Sequence, residues 1–138
     1  MISIKLEEGA ICPTRGTVGS AGYDLYANED GVVTYGTATI IKTGVSMAIP
    51  IGYYGRIAPR SSLGLRMVDV GAGVVDSDYR GEISVILYNF NPITPFIVQK
   101  GMRIAQIIIT QIYTPILTVV NSLDSTTRGE LGFGSTGH

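Results

Sequence analysis

The sequence predicts an all-β domain, on three observations. Short runs rich in Ile, Val, Tyr and Thr recur at about eight- to twelve-residue spacing. Gly, Pro, Asn and Asp separate them. The 18 glycines and many β-branched residues leave no window of about eleven residues with a sustained helical period. The strand candidates follow in order. Residues 2–6 (ISIKL) precede the Glu-Glu-Gly turn signal, and residues 23–27 (YDLYA) are aromatic and end before an Asn-Glu-Asp-Gly stretch. Residues 38–50 form the longest β-branched run and stop at Pro50. Residues 53–58 (YYGRIA) run into Pro59, after which at most one helical turn is expected. Residues 82–90 (EISVILYNF) and 103–113 (RIAQIIITQIY) follow Gly-containing turns, and residues 117–120 (LTVV) close the series. Within them, residues 83–90 and 104–109 are apolar on both alternating faces, which predicts burial on both sides, by a barrel core or by a partner subunit.

The 138 residues fit one domain, with no repeat, low-complexity tract or composition shift to mark a linker. Charged residues make up 15% and hydrophobic ones 45%, so the chain has little charge with which to cover its outside. Part of that outside is expected to be an interface. A net charge of −1, with Lys and Arg scattered, predicts neither stable nucleic-acid binding nor a membrane surface site. No apolar run reaches the roughly 18 residues of a membrane span. Residues 1–10 carry neither a basic nor a long apolar signal region, so a soluble, intracellular protein without a targeting signal is expected. Cys12 is the sole cysteine, which excludes an intrachain disulfide and a Cys/His zinc site. It reads as a small packed residue, and His138 as a solvated terminal one.

Three segments carry candidate chemistry. Residues 55–64 (GRIAPRSSLG) end a strand and place Arg60, Ser61 and Ser62 with successive backbone N–H groups at one turn, an arrangement that can hold a phosphate. The same residues also suit a capped helical turn beside a solvated arginine. Residues 73–81 (GVVDSDYRG) read as an acidic hairpin tip. An Asp there can act as general base for water while Tyr79 packs on a ligand, or the segment is simply a good turn. Residues 128–137 (RGELGFGSTG) combine glycines, hydroxyls, a cation and one aromatic. A flexible tail has that composition, yet a lid closing on a base and its phosphates needs a stacking ring and close backbone approach.

With two further stretches, residues 21–27 (AGYDLYA) and 101–106 (GMRIAQ), these segments give the chain a resemblance to the trimeric dUTPase family at five places, in order and at matching separations. The resemblance implies a jelly-roll-like, distorted β-barrel that forms a homotrimer with shared active sites. Residues 1–127 would be the barrel and residues 128–138 a lid completing a neighbour's site. The implied reaction is hydrolysis of dUTP to dUMP and pyrophosphate. Asp76 matches the general base that activates water for attack on the α-phosphorus. Tyr79 matches the ring under the deoxyribose that excludes a 2′-hydroxyl. The backbone from Gly73 and Val74 to Ser84 matches the uracil-reading segment. Arg60, Ser61, Ser62 and Gln106 match phosphate contacts, and Arg128, Phe133, Gly134, Ser135 and Thr136 match the tail that stacks on uracil and holds the γ-phosphate. Asp24 matches an acid that positions Mg²⁺ indirectly, through water, while the triphosphate supplies direct ligands.

The sequence departs from the family pattern at Ser62 and Leu131, where Gly is common, and at Met102, where Asp is usual. Met102 puts a local salt bridge or turn in doubt. The rival on the same fold is a dCTP deaminase, which the Arg-Ser-Ser-Leu stretch at 60–63 also resembles. That family needs a glutamate where spacing puts Ile86, and an aliphatic side chain shuttles no proton. A non-catalytic trimeric binding module is the alternative of a different class. The presence of Asp76, Arg60 and Phe133 favours the enzyme.

Overall fold

The structure, a computed structural model, describes residues 1–134 and 137. Its strands in chain order are β1 (Ser3–Leu6), β2 (Tyr23–Tyr26), β3 (Gly31–Val33), β4 (Ala38–Ala48), β5 (Tyr53–Ala58), β6 (Val68–Gly71), β7 (Val74–Val75), β8 (Ile83–Asn89), β9 (Phe96–Val98) and β10 (Arg103–Gln111). One helical turn, α1 (Ser61–Gly64), follows β5, where Pro59 ends the strand.

Two four-stranded sheets, β1-β4-β8-β6 and β2-β10-β5-β7, and a two-stranded β3-β9 ribbon make up the all-β, jelly-roll-like architecture. Every strand pair is antiparallel. Hydrogen bonding does not close these sheets into a single barrel. Alternation along the central strands builds the core. Ile83, Val85 and Leu87 of β8 and Ile41 and Val45 of β4 point inward, where they meet Leu25 of β2 and Ile104 and Ile107 of β10. Each is at most 2% exposed, and burying one such side chain contributes about 1.5–3 kcal/mol. Asn89, the buried polar end of β8, is fully employed. Its Nδ2 donates to the carbonyls of Val33 (3.0 Å) and Thr94 (2.9 Å), and its Oδ1 accepts from the Asn91 N–H (2.8 Å). It thereby ties the end of β3 and the approach to β9 onto the first sheet.

Three expectations need correction. Residues 117–120 form no strand: the chain leaves the second sheet after Gln111, and β-branched residues without a neighbouring edge have no ladder to join. Cys12, expected to be a small packed residue, is exposed on the surface segment before β2. The second faces of β8 and β10, whose expected cover is a barrel core or a partner subunit, are half-buried within one chain at Ser84, Ile86 and Tyr88 and at Gln106, Ile108 and Thr110, and Phe90 is exposed. The acidic turn after β7 is not a hairpin tip either. β7 pairs with β5, whereas β8 pairs with β4 and β6, so residues 76–82 cross from one sheet to the other. Their peptide groups therefore escape the strand ladders. The short strands β3, β6, β7 and β9 carry too few residues to show a period in sequence.

Candidate active site

The crossing segment lines a cavity of about 350 Å³. Gly73, Val74, Asp76, Tyr79 and Ser84 all face it, over an apolar floor that includes Ile57 and Ile86. Local bonds fix its shape. The Ile57 N–H donates to the Gly73 carbonyl at 2.7 Å, holding the start of the segment to β5. Gly73 has φ +92°, and an added Cβ would lie 2.7 Å from the Ile57 oxygen, so glycine is required on both counts. The Tyr79 N–H closes a turn onto the Asp76 carbonyl at 3.2 Å. Arg80 Nη1 donates to the carbonyls of Ser77 (2.7 Å) and Tyr79 (3.1 Å), which rigidifies the turn from outside. The Asp76 side chain is left exposed at the cavity rim.

A second cluster forms where β2, β5 and β10 meet. Register pairs Gln106 with both Asp24 and Ala58, and Gln106 Nε2 donates to the Pro59 carbonyl at 3.0 Å. Gly22 leaves room for this glutamine: a Cβ there would overlap Gln106 Oε1 and approach its Cβ to 3.0 Å. Asp24 lies between two arginines, with Arg60 Nε 3.4 Å from Oδ1 and Arg103 Nη1 3.5 Å from Oδ2. Arg60 is the N-cap of α1 but no side chain caps the turn, so Ser61 and Ser62 stand exposed with their hydroxyls uncommitted to capping. That decides against the capped-turn alternative. Met102 keeps its turn, with its N–H on the Gln99 carbonyl (3.0 Å) and its carbonyl on the Ala27 N–H (2.8 Å), while its side chain packs against the core.

Within one chain the structure unites residues 73–84 in one place and Asp24, Arg60, Ser61, Ser62 and Gln106 in another. The tail joins neither. Arg128 Nε turns back to the Leu131 carbonyl (2.8 Å), and Phe133 is fully exposed with φ +51°. Gly134 is exposed as well, and Ser135 and Thr136 lie outside the described residues. A larger groove of about 660 Å³ beside β1, lined by Ile2, Ile4, Met47 and Ile109 among others, holds none of the candidate residues. Sequence reasoning assigned no role to Arg103, although it sits inside the 101–106 stretch; only its pairing with Asp24 reveals it.

A family model for dUTPase matches residues 8–137. The chain belongs to the dUTPase family. Among its dUTPase relatives, the deoxyuridine 5′-triphosphate nucleotidohydrolase of vaccinia virus (strain Copenhagen) is 53% identical over 134 residues, covering 97% of this chain and 90% of the viral protein. The enzyme of the same name from Rattus norvegicus is 49% identical over 135 residues; the match covers 97% of this chain but 65% of the rat protein. In three dimensions the chain is similar to the dUTPase of Staphylococcus bacteriophage 80alpha with dUpNHpp, with a TM-score of 0.94 and 29% identity. That match covers 100% of this chain and 99% of the phage chain. The dUTPase family thus accounts for the two-sheet fold.

Proposed function

We propose that the chain is a dUTP diphosphatase that hydrolyses dUTP to dUMP and pyrophosphate in active sites shared within a homotrimer. The observation that carries this reading is the cavity bounded by Asp76, Tyr79 and the ladder-free backbone of the crossing segment, in a chain of the dUTPase family. Uracil enters the cavity and pairs with backbone groups between Gly73 and Ser84, with Val74 beside it. Within that stretch no strand partner consumes the peptide groups of residues 76–82. Tyr79 packs under the deoxyribose and excludes a 2′-hydroxyl sterically. Asp76 accepts a proton from water as its oxygen attacks the α-phosphorus. The bond from that phosphorus to the oxygen bridging toward the β-phosphate breaks, and pyrophosphate leaves with the electron pair. Ile86, an aliphatic side chain in the same cavity, offers no acid or base for deamination.

Arg60, Ser61, Ser62 and Gln106 form the phosphate end of a site whose base pocket belongs to a different subunit. One fact supports sharing. The extended arm after β10 exposes Ile116 (95%), Leu117 (90%), Val119 (99%) and Leu123 (85%). Apolar surface of that extent costs about 25 cal/mol per Å² in water, which favours a neighbouring subunit as its cover. The tail then carries Arg128, Phe133 and Gly134, with Ser135 and Thr136, over the neighbour's nucleotide as a lid spanning residues 128–138.

Mg²⁺ fits this arrangement only as an ion delivered with the triphosphate. Among the described residues no three acidic, His or Cys side chains cluster, and both Asp24 oxygens already face guanidinium groups. Asp24 would therefore hold the ion through water, and the bound ion would offset charge on the phosphates. The direct test is pyrophosphate release from dUTP, UTP, dTTP and dCTP, each with Mg²⁺ and with chelator, beside an ammonia assay. Metal-dependent release confined to dUTP is expected. Ammonia from dCTP would establish a deaminase instead, and silence throughout a binding module.

A further inference from the structure

Gly81 has no backbone reason to be glycine. Its φ lies outside the left-handed region, so any residue adopts its conformation. The constraint comes from one side chain. A Cβ at Gly81 would overlap Tyr79 Oη and lie 2.6 Å from Cζ and 2.9 Å from Cε1, and no other residue supplies any of its three nearest neighbours. The ring is folded back onto the bare Gly81 backbone, and its hydroxyl donates to the Glu82 carbonyl at 2.9 Å. That carbonyl is itself anchored, because Glu82 Oε2 accepts the Gly44 N–H (3.3 Å) at the β-bulge that shifts the β4–β8 register between Lys42 and Val45. Tyr79 is thus clamped at its tip by Glu82 and supported beneath by the absence of a side chain at Gly81. An exposed turn tyrosine would otherwise exchange rotamers freely.

We infer that Gly81 is a specificity-determining positioning residue: it seats the Tyr79 ring at the depth that separates deoxyribonucleotides from ribonucleotides. The inference rests on the reading that Tyr79 packs under the sugar. Gly81 does not line the cavity and acts only through the ring. A methyl group at this position lifts Tyr79 off its seat and breaks the bond to Glu82, and a displaced ring tolerates a 2′-hydroxyl.

The test is a double-mutant cycle read as the ratio of kcat/KM for dUTP to that for UTP. Tyr79→Ala, Gly81→Ala and the double variant are compared with the parent, and Tyr79→Phe removes the tether to Glu82 without adding bulk. Gly81→Ala should lower the ratio on the order of tenfold, and in the Tyr79→Ala background it should change nothing further. Tyr79→Phe should lower it by a smaller factor. If Tyr79→Ala leaves the ratio intact, the sugar-packing reading itself is wrong. A ratio that falls in Tyr79→Ala but stands unchanged in Gly81→Ala overturns the role of Gly81 alone. So does an equal fall caused by Gly81→Ala with and without the tyrosine ring, since Gly81 would then act elsewhere. Should Gly81→Ala accumulate unfolded, the cavity-free Tyr79→Phe decides: an unchanged ratio there removes the clamp on which the inference stands.

Discussion

Asp76 is the residue on which the proposed chemistry turns. It stands at the rim of the 350 Å³ cavity with its carbonyl engaged in a turn and its side chain exposed, so its carboxylate is available to a water without any structural duty to forfeit. Asp76→Asn should lower kcat by about 10²–10⁴-fold, the usual worth of a positioned base, while nucleotide binding measured by calorimetry stays within a few-fold. Full turnover in that variant would remove Asp76 from the mechanism. Asn89 shows the opposite use of a polar side chain. It is 1% exposed and satisfies the buried Val33 carbonyl, the part-buried Thr94 carbonyl and one N–H, so Asn89→Ala strands those groups. A loss of roughly 3 kcal/mol is expected in urea unfolding at fixed protein concentration, with catalysis of the folded fraction unaltered.

Among elements, the crossing between β7 and β8 and the tail after β10 matter most. The crossing is rigid because Arg80 braces it and Ile57 holds its start, which suits a reader of base edges. The tail is different in kind: its hydrogen bonds to Leu131 and Thr126 are local, and its Phe133 ring is bare. Deleting residues 128–138 should abolish most turnover while sedimentation shows an unchanged assembly, since the apolar arm from Ile112 to Leu123 remains. Retained activity would remove the lid from the proposal. A monomer after the deletion would show instead that the tail, rather than the arm, holds the assembly.

For the whole molecule, the apolar arm left uncovered after β10 is the informative fact. If sites are shared, Asp76→Asn subunits and tail-deleted subunits complement one another: a tail-deleted chain supplies Asp76 and its neighbour supplies the lid. Co-refolding the two inactive proteins should restore activity to a sizeable fraction of the parent's, and sedimentation of the parent should show a trimer. A mixture as inactive as its components would confine each site to one chain.

The strand-rich class, most long strands, the single turn after Pro59 and the positions at which chemistry would be sought are legible in the residues alone. These are local properties: alternation, proline and glycine punctuation, and the residue content of short segments. Tertiary structure alone decided which strand pairs with which. The apparent hairpin at residues 73–84 became a crossing between sheets because β7 found its partner in β5, a choice made by distant residues. The strand at 117–120 failed for the same reason, since propensity without an edge to pair with gives no ladder. Tertiary packing also placed Arg103 and Arg60 on either side of Asp24 and set the Tyr79 ring on Gly81. Such contacts depend on the register between strands and on the geometry of a turn, and linear spacing encodes neither.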